Sequence, residues 1–148
     1  MPYMTDTGRT AAFLNLALNA GGALTITQPY HLRLMTTMGS GNGNVNASNG
    51  TESTSGTCPG YTAGGSSLGA SSPFGSFSTT APTASNANSV SWSATGTWST
   101  ILGIEIWDTA GTPLRWFQGT LTSNITGVVN GDTVQFAASA ITLNATAE

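Results

Sequence analysis

Glu105 and Asp108 are the residues of this chain whose type and spacing come nearest to paired acid–base chemistry. A glycosidase uses two such carboxyl groups, one as acid and one as base or nucleophile, and both must project into one cleft. Glu105, however, stands among isoleucines in ILGIEIW, the pattern of a strand. Asp108 stands where a turn begins, a favoured place for Asp because its side chain accepts backbone N–H groups. The turn reading outweighs the catalytic one. His31 is the single histidine, which excludes a metal site built from several imidazoles and leaves no second candidate for a Ser-His-Asp triad. No G-x-S-x-G elbow is present. Cys58 in TCPGY is the single cysteine, so it forms no intrachain disulfide, and no nearby base activates it. GSGNGN (39–44) has the glycines of a phosphate cradle but not the Lys-Ser/Thr that completes one. Asp108 and Asp132 could meet calcium, but no spaced run of Asp and Asn ligands accompanies them. Trp92, Trp98, Trp107 and Trp116 could stack on sugars, although tryptophans in or beside strands are more often core and interface anchors. The inventory points away from an enzyme and from any cofactor or metal.

Composition points the same way. Charged residues are 6% of the 148, against roughly a quarter in an ordinary soluble domain. There is no lysine; Arg9, Arg33 and Arg115 supply the positive charge, and the net charge is −3. No basic patch exists to neutralise phosphates, so a nucleic-acid partner is not expected. A surface made from Ser, Thr, Asn, Gly and Ala repels its own copies weakly, because net charge is what keeps proteins apart. Self-association or a broad partner interface is the expectation. The start MPYMTDTGRT has neither a basic cluster nor an early apolar run, and Ala11 to Leu18 is too short to span a bilayer, so neither a signal peptide nor a membrane partner is expected.

The elements that would position these residues can be read along a single domain. Residues 1–6 read as an extended arm, with Pro2, Tyr3 and Met4 as contacts to a partner. Asp6 or Thr7 can cap a helix over 7–19 that ends at Gly21 and Gly22, with Phe13 on its apolar face. Tyr30 to Thr37 alternates as a half-buried strand that carries His31 and Arg33. From 39 to 89 the chain is a low-complexity Gly/Ser/Thr/Asn loop or insertion, unusually long for a compact domain. It is either a mobile linker or an extended segment packed on neighbouring subunits; its spaced aromatics favour partial order. Strands resume over 90–145. Val90, Trp92 and Ala94 share a face, ILGIEIW and LRWFQG flank a turn, and Asn130-Gly131 signals a hairpin before Val134 and Phe136. A mainly β chain, sandwich-like or jelly-roll-like, with one short N-terminal helix is the expected fold.

The segments W-S-T-I-L-G-I-E-I-W-D-T-A-G-T-P-L-R-W-F-Q-G-T-L and V-N-G-D-T-V-Q-F-A, after a strand ending in LMTT and a Gly-rich middle, resemble small tailed-bacteriophage virion proteins. These are tail fibre, minor tail or capsid decoration proteins. Residues 90 to 143 carry most of the resemblance, and the long 39–89 stretch departs from it. The resemblance implies a structural protein on the outer surface of the virion's capsid, bound to the major capsid protein as a homotrimer. It carries no catalytic residues. Candidate contact residues are Pro2, Tyr3, Met4, Phe13, His31, Arg33, Trp92 and Trp116. The competing expectation is a tail protein that grips a host glycan through its tryptophans.

Overall fold

The computed structural model describes residues 3–4, 28–39, 50–69, 73–74, 83–111 and 113–144. Over these residues the protein is mainly β, and none of them is helical. The helix expected over 7–19 lies outside the described residues, as do Pro2 and Phe13. The strands are β1 (Tyr3–Met4), β2 (His31–Thr37), β3 (Thr51–Glu52), β4 (Ser66–Ser67), β5 (Thr83–Ser85), β6 (Val90–Ser93), β7 (Ile101–Trp107), β8 (Arg115–Ile125), β9 (Thr133–Phe136) and β10 (Thr142–Asn144).

One sheet runs in the order β3-β2-β7-β8-β1-β10-β5, and β4 shares the outer edge of β2 with β3. Every neighbouring pair is antiparallel except β1 with β10, which is parallel. At its centre, Leu32 stands opposite Ile106 and Leu34 opposite Ile104. Ile106 in turn stands opposite Phe117. Side chains alternate between the faces of a sheet, so these residues form one apolar face. Arg33 stands opposite Glu105, and Glu105 opposite Gln118, so the other face is polar.

The second sheet is the antiparallel ribbon β6–β9, and its Val90, Trp92 and Val134 enter the same core as Leu32, Leu34, Ile104, Ile106 and Phe117. The alternation of Val90, Trp92 and Ala94, and of Val134 against exposed Thr133 and Gln135, follows the sequence pattern. The Asn130-Gly131 turn forms, with Gly131 at φ +93°, but it does not close a hairpin between its flanking strands. β8 pairs with β7 and β1, while β9 pairs with β6. The turn is instead held across the chain, where Gly131 N–H donates to Ala94 O and Ala94 N–H to Asp132 O.

The 39–89 stretch is not structureless where it is described. Residues 50–69 pack on the chain's own sheet, and Cys58, Tyr61 and Leu68 are core residues. Periodicity cannot show this, because tight turns do the folding. Cys58 N–H donates to Thr54 O at 2.7 Å, Tyr61 N–H to Cys58 O at 2.9 Å, and Leu68 N–H to Tyr30 O at 2.8 Å.

Candidate functional site

The polar face of β2, β7 and β8 gathers most of the described charge. Glu105 and Arg115 are both fully buried, and the Arg115 guanidinium meets Glu105 Oε1 at 2.9 Å. Trp107 Nε1 donates to the other oxygen, Oε2, at 2.9 Å. Arg33 lies over the Trp107 ring, 4.2 Å from its centroid. Its guanidinium also reaches Glu52 at 3.4 Å, a looser contact that is about one-fifth exposed on each side. Glu52 Oε1 accepts the Tyr61 hydroxyl at 2.7 Å and the Gly64 N–H at 2.6 Å. The Tyr61 hydroxyl oxygen accepts the Leu34 N–H at 3.2 Å. Burial, first of all, drives the Tyr61 hydroxyl far above the ordinary tyrosine range; the Leu34 bond opposes this and Glu52 adds to it. His31 Nδ1 lies 3.0 Å from Gly64 O, which makes that nitrogen the protonated one.

A β-bulge sets the chemistry of β8. Ile106 pairs with Phe117 but Trp107 pairs with Arg115, so Trp116 is an extra residue on β8. Strict alternation would send Trp116 and Phe117 to opposite faces. The bulge brings both into the core and leaves Arg115 on the Glu105 side. Asp108 then serves the far end. Its Oδ1 accepts Leu114 N–H at 2.8 Å and Ala110 N–H at 3.3 Å, and its Oδ2 accepts Trp116 Nε1 at 3.0 Å. Burial and, secondarily, the Asp108 charge push the nearby Tyr30 hydroxyl up to about 12.

Glu105 and Asp108 therefore do not share a cleft. One carboxylate neutralises an arginine on the polar face, and the other ties a turn to a core tryptophan. Asp108 in a turn follows the sequence pattern; the Glu105–Arg115 pair does not. The signal for it was one Glu and one Arg on facing strands of a chain nearly without charge, legible only once their register is known.

The structure distributes the candidate contact residues as follows. Tyr3 and Met4 form β1 inside the sheet. His31 and Arg33 are half-buried on β2, tied to Gly64, Glu52 and Trp107. Trp92 and Trp116 are buried in the chain's own core, at 6% and 5% exposure, so neither presents a face to a partner. Trp98 and Trp107 are equally buried. Trp98 Nε1 donates to Pro59 O at 2.8 Å, and Trp92 packs edge-on against Phe136. Cys58 is fully buried as well.

Two shallow clefts lie beside these elements. One, of about 370 Å³, opens between the end of β8 and β9 and is lined by Ile125, Val128 and Asp132 among others. The other, of about 330 Å³, has Ile104, Leu121, Phe136 and Ile141 in its wall. Asp132 is the single charged side chain lining either. Among the described residues no three His, Cys, Asp or Glu side chains come together as a metal site. No helix among them is long and apolar enough to cross a membrane. No known protein family matches the sequence, and no curated protein matches it.

Proposed function

We propose that the protein is a structural component of a tailed-bacteriophage virion, a decoration protein on the outside of the capsid. In this reading it binds the major capsid protein and associates with copies of itself as a homotrimer. The observation that carries the reading is the placement of charge. Of the charged residues described, Glu105, Asp108 and Arg115 are buried, Arg33 and Glu52 are half-buried against each other, and Asp132 alone is exposed. The exposed positions are otherwise chiefly Ser, Thr, Asn, Gln, Gly and Ala. Such an exterior repels its own copies only weakly and does not attract phosphates, and it suits a protein held by many weak, repeated contacts.

The resemblance of residues 90–143 to small tailed-bacteriophage virion proteins narrows that general reading to a phage particle, and the exterior poor in charge favours its shell. We read the large sheet and the β6–β9 ribbon, which share one core, as a sandwich of the jelly-roll kind. A protein bridging capsid subunits stabilises the shell because it binds the assembled state and not the separated subunits. Each buried apolar Å² contributes roughly 25 cal/mol.

The competing reading, a tail protein that grips a glycan through its tryptophans, finds no exposed tryptophan to use. The test is to add purified protein to heads assembled without it. Binding to the outer surface, with a higher temperature of DNA release, is the expected result. Binding to tails alone, or to neither particle, refutes the reading.

A further inference from the structure

The N-terminal strand occupies an unusual place. β1 is two residues long, Tyr3–Met4, yet it lies in the interior of the large sheet. Tyr3 and Met4 pair antiparallel with Gln118 and Phe117 of β8, and Tyr3 pairs parallel with Asn144 of β10. Among the described residues β8 and β10 have no pairing with each other, so β1 joins the β3-β2-β7-β8 half of the sheet to β10-β5. Remove it, and the facing backbone groups of β8 and β10 lose their partners, a costly state inside a fold.

We propose that the slot between β8 and β10 is the acceptor for the N-terminal strand of a second copy, so that the protein assembles by strand exchange. This rests on the self-association put forward above and names its means. Backbone pairing is blind to which chain supplies the strand, so an exchanged β1 makes the same hydrogen bonds as the chain's own. The 23 residues from 5 to 27 separate β1 from the next described segment. They have a contour length of about 80 Å at most, ample to reach a copy in contact. In dilute solution the chain's own arm competes at an effective concentration of order mM. Copies held side by side on a shell face one another at comparable concentration, and an exterior poor in charge over the described residues holds them apart only weakly.

The test uses two singly substituted full-length proteins, Tyr3→Cys and Gln118→Cys, mixed in the unfolded state, refolded together and oxidised. Directly opposed residues of an antiparallel pair have Cα atoms roughly 4.5–5.5 Å apart, within disulfide reach. Cys58 is fully buried and stays silent. The expected product is a disulfide-linked species of twice the 15.0 kDa chain mass, formed under conditions where sedimentation shows assembly. Assembly without this species, while the double variant Tyr3→Cys/Gln118→Cys closes its bridge within one chain, overturns strand exchange and leaves self-association standing. A sample that remains monomeric at every concentration overturns both. Should Gln118→Cys fail to fold, Tyr3→Cys mixed with Asn144→Cys gives the same readout from the β10 side of the slot.

Discussion

Replacing Glu105 by Gln asks whether charge holds the polar face of the central sheet. Both members of the Glu105–Arg115 pair are fully buried, with an N–O separation of 2.9 Å. Gln keeps an oxygen that can accept from Trp107 Nε1, so that bond survives while the charge facing Arg115 disappears. Breaking a buried pair from one side costs about 3–5 kcal/mol, because the remaining ion stays buried without its counter-charge. In a chain of this size each kcal/mol moves Tm by roughly 2–4 °C, so Glu105→Gln is expected to lower Tm by about 10 °C. The double change Glu105→Gln/Arg115→Met removes the arginine's charge as well. It should recover much of the loss, since apolar replacement of a buried pair is often near neutral. Urea denaturation followed by tryptophan fluorescence supplies the four stabilities of a double-mutant cycle. A loss under about 1 kcal/mol for Glu105→Gln, or a double variant as damaged as the two singles summed, refutes the reasoning.

Asp108→Ala should cost about 2–3 kcal/mol by orphaning the Trp116 Nε1–H and the Leu114 N–H, with Asp108→Asn milder; equal losses for the two would contradict the assigned bonds. Gly65→Ala should strongly destabilise, because Gly65 sits at φ +77° with the Leu32 carbonyl where a Cβ would go, whereas Gly111→Ala, facing open space, should be neutral; chemical denaturation ranks the pair. Tyr30 and Tyr61 should titrate above the ordinary phenol range in ultraviolet absorbance. A folded-state pKa raised from 10 to about 12 at Tyr30 means the folded chain holds its proton longer than the unfolded one. That contribution to stability is complete below pH 10 and is lost as pH climbs towards 12, and Tyr30→Phe should flatten the decline over that window.

Much of the C-terminal half is legible in the sequence, because its strands alternate and its turns use turn residues. The ILGIEIW and LRWFQG segments pair around a turn begun by Asp108, and Val134 points inward beside exposed Gln135. The segment from 50 to 69 is not legible, since Cys58, Tyr61 and Leu68 reach the core from turns, which have no period to read. The Asn130-Gly131 turn is legible as a turn but not as to which strands it serves, because pairing partners are set by the core and not by the two residues of a turn. Trp116 shows the same limit from another side. A bulge adds one residue and reverses every later inward and outward assignment, and nothing in RWFQG announces it.

Among the described residues, the buried charges and an exterior whose one exposed charge is Asp132 belong to one physical arrangement. Slide β7 by one residue against its neighbours, and Glu105 leaves Arg115 and enters the face occupied by Leu32, Leu34 and Phe117. A carboxylate placed there without a counter-charge costs several kcal/mol, so the ion pair penalises wrong registers even where its net contribution to stability is small. Register at β7–β8 in turn fixes where Phe117 and Gln118 offer their backbone groups to β1. In the proposed assembly, copies meeting through an exterior poor in charge would gain little orientation from electrostatics. What would remain to align such copies is shape and backbone pairing, and the position of that backbone is set in part by the Glu105–Arg115 pair the fold keeps inside.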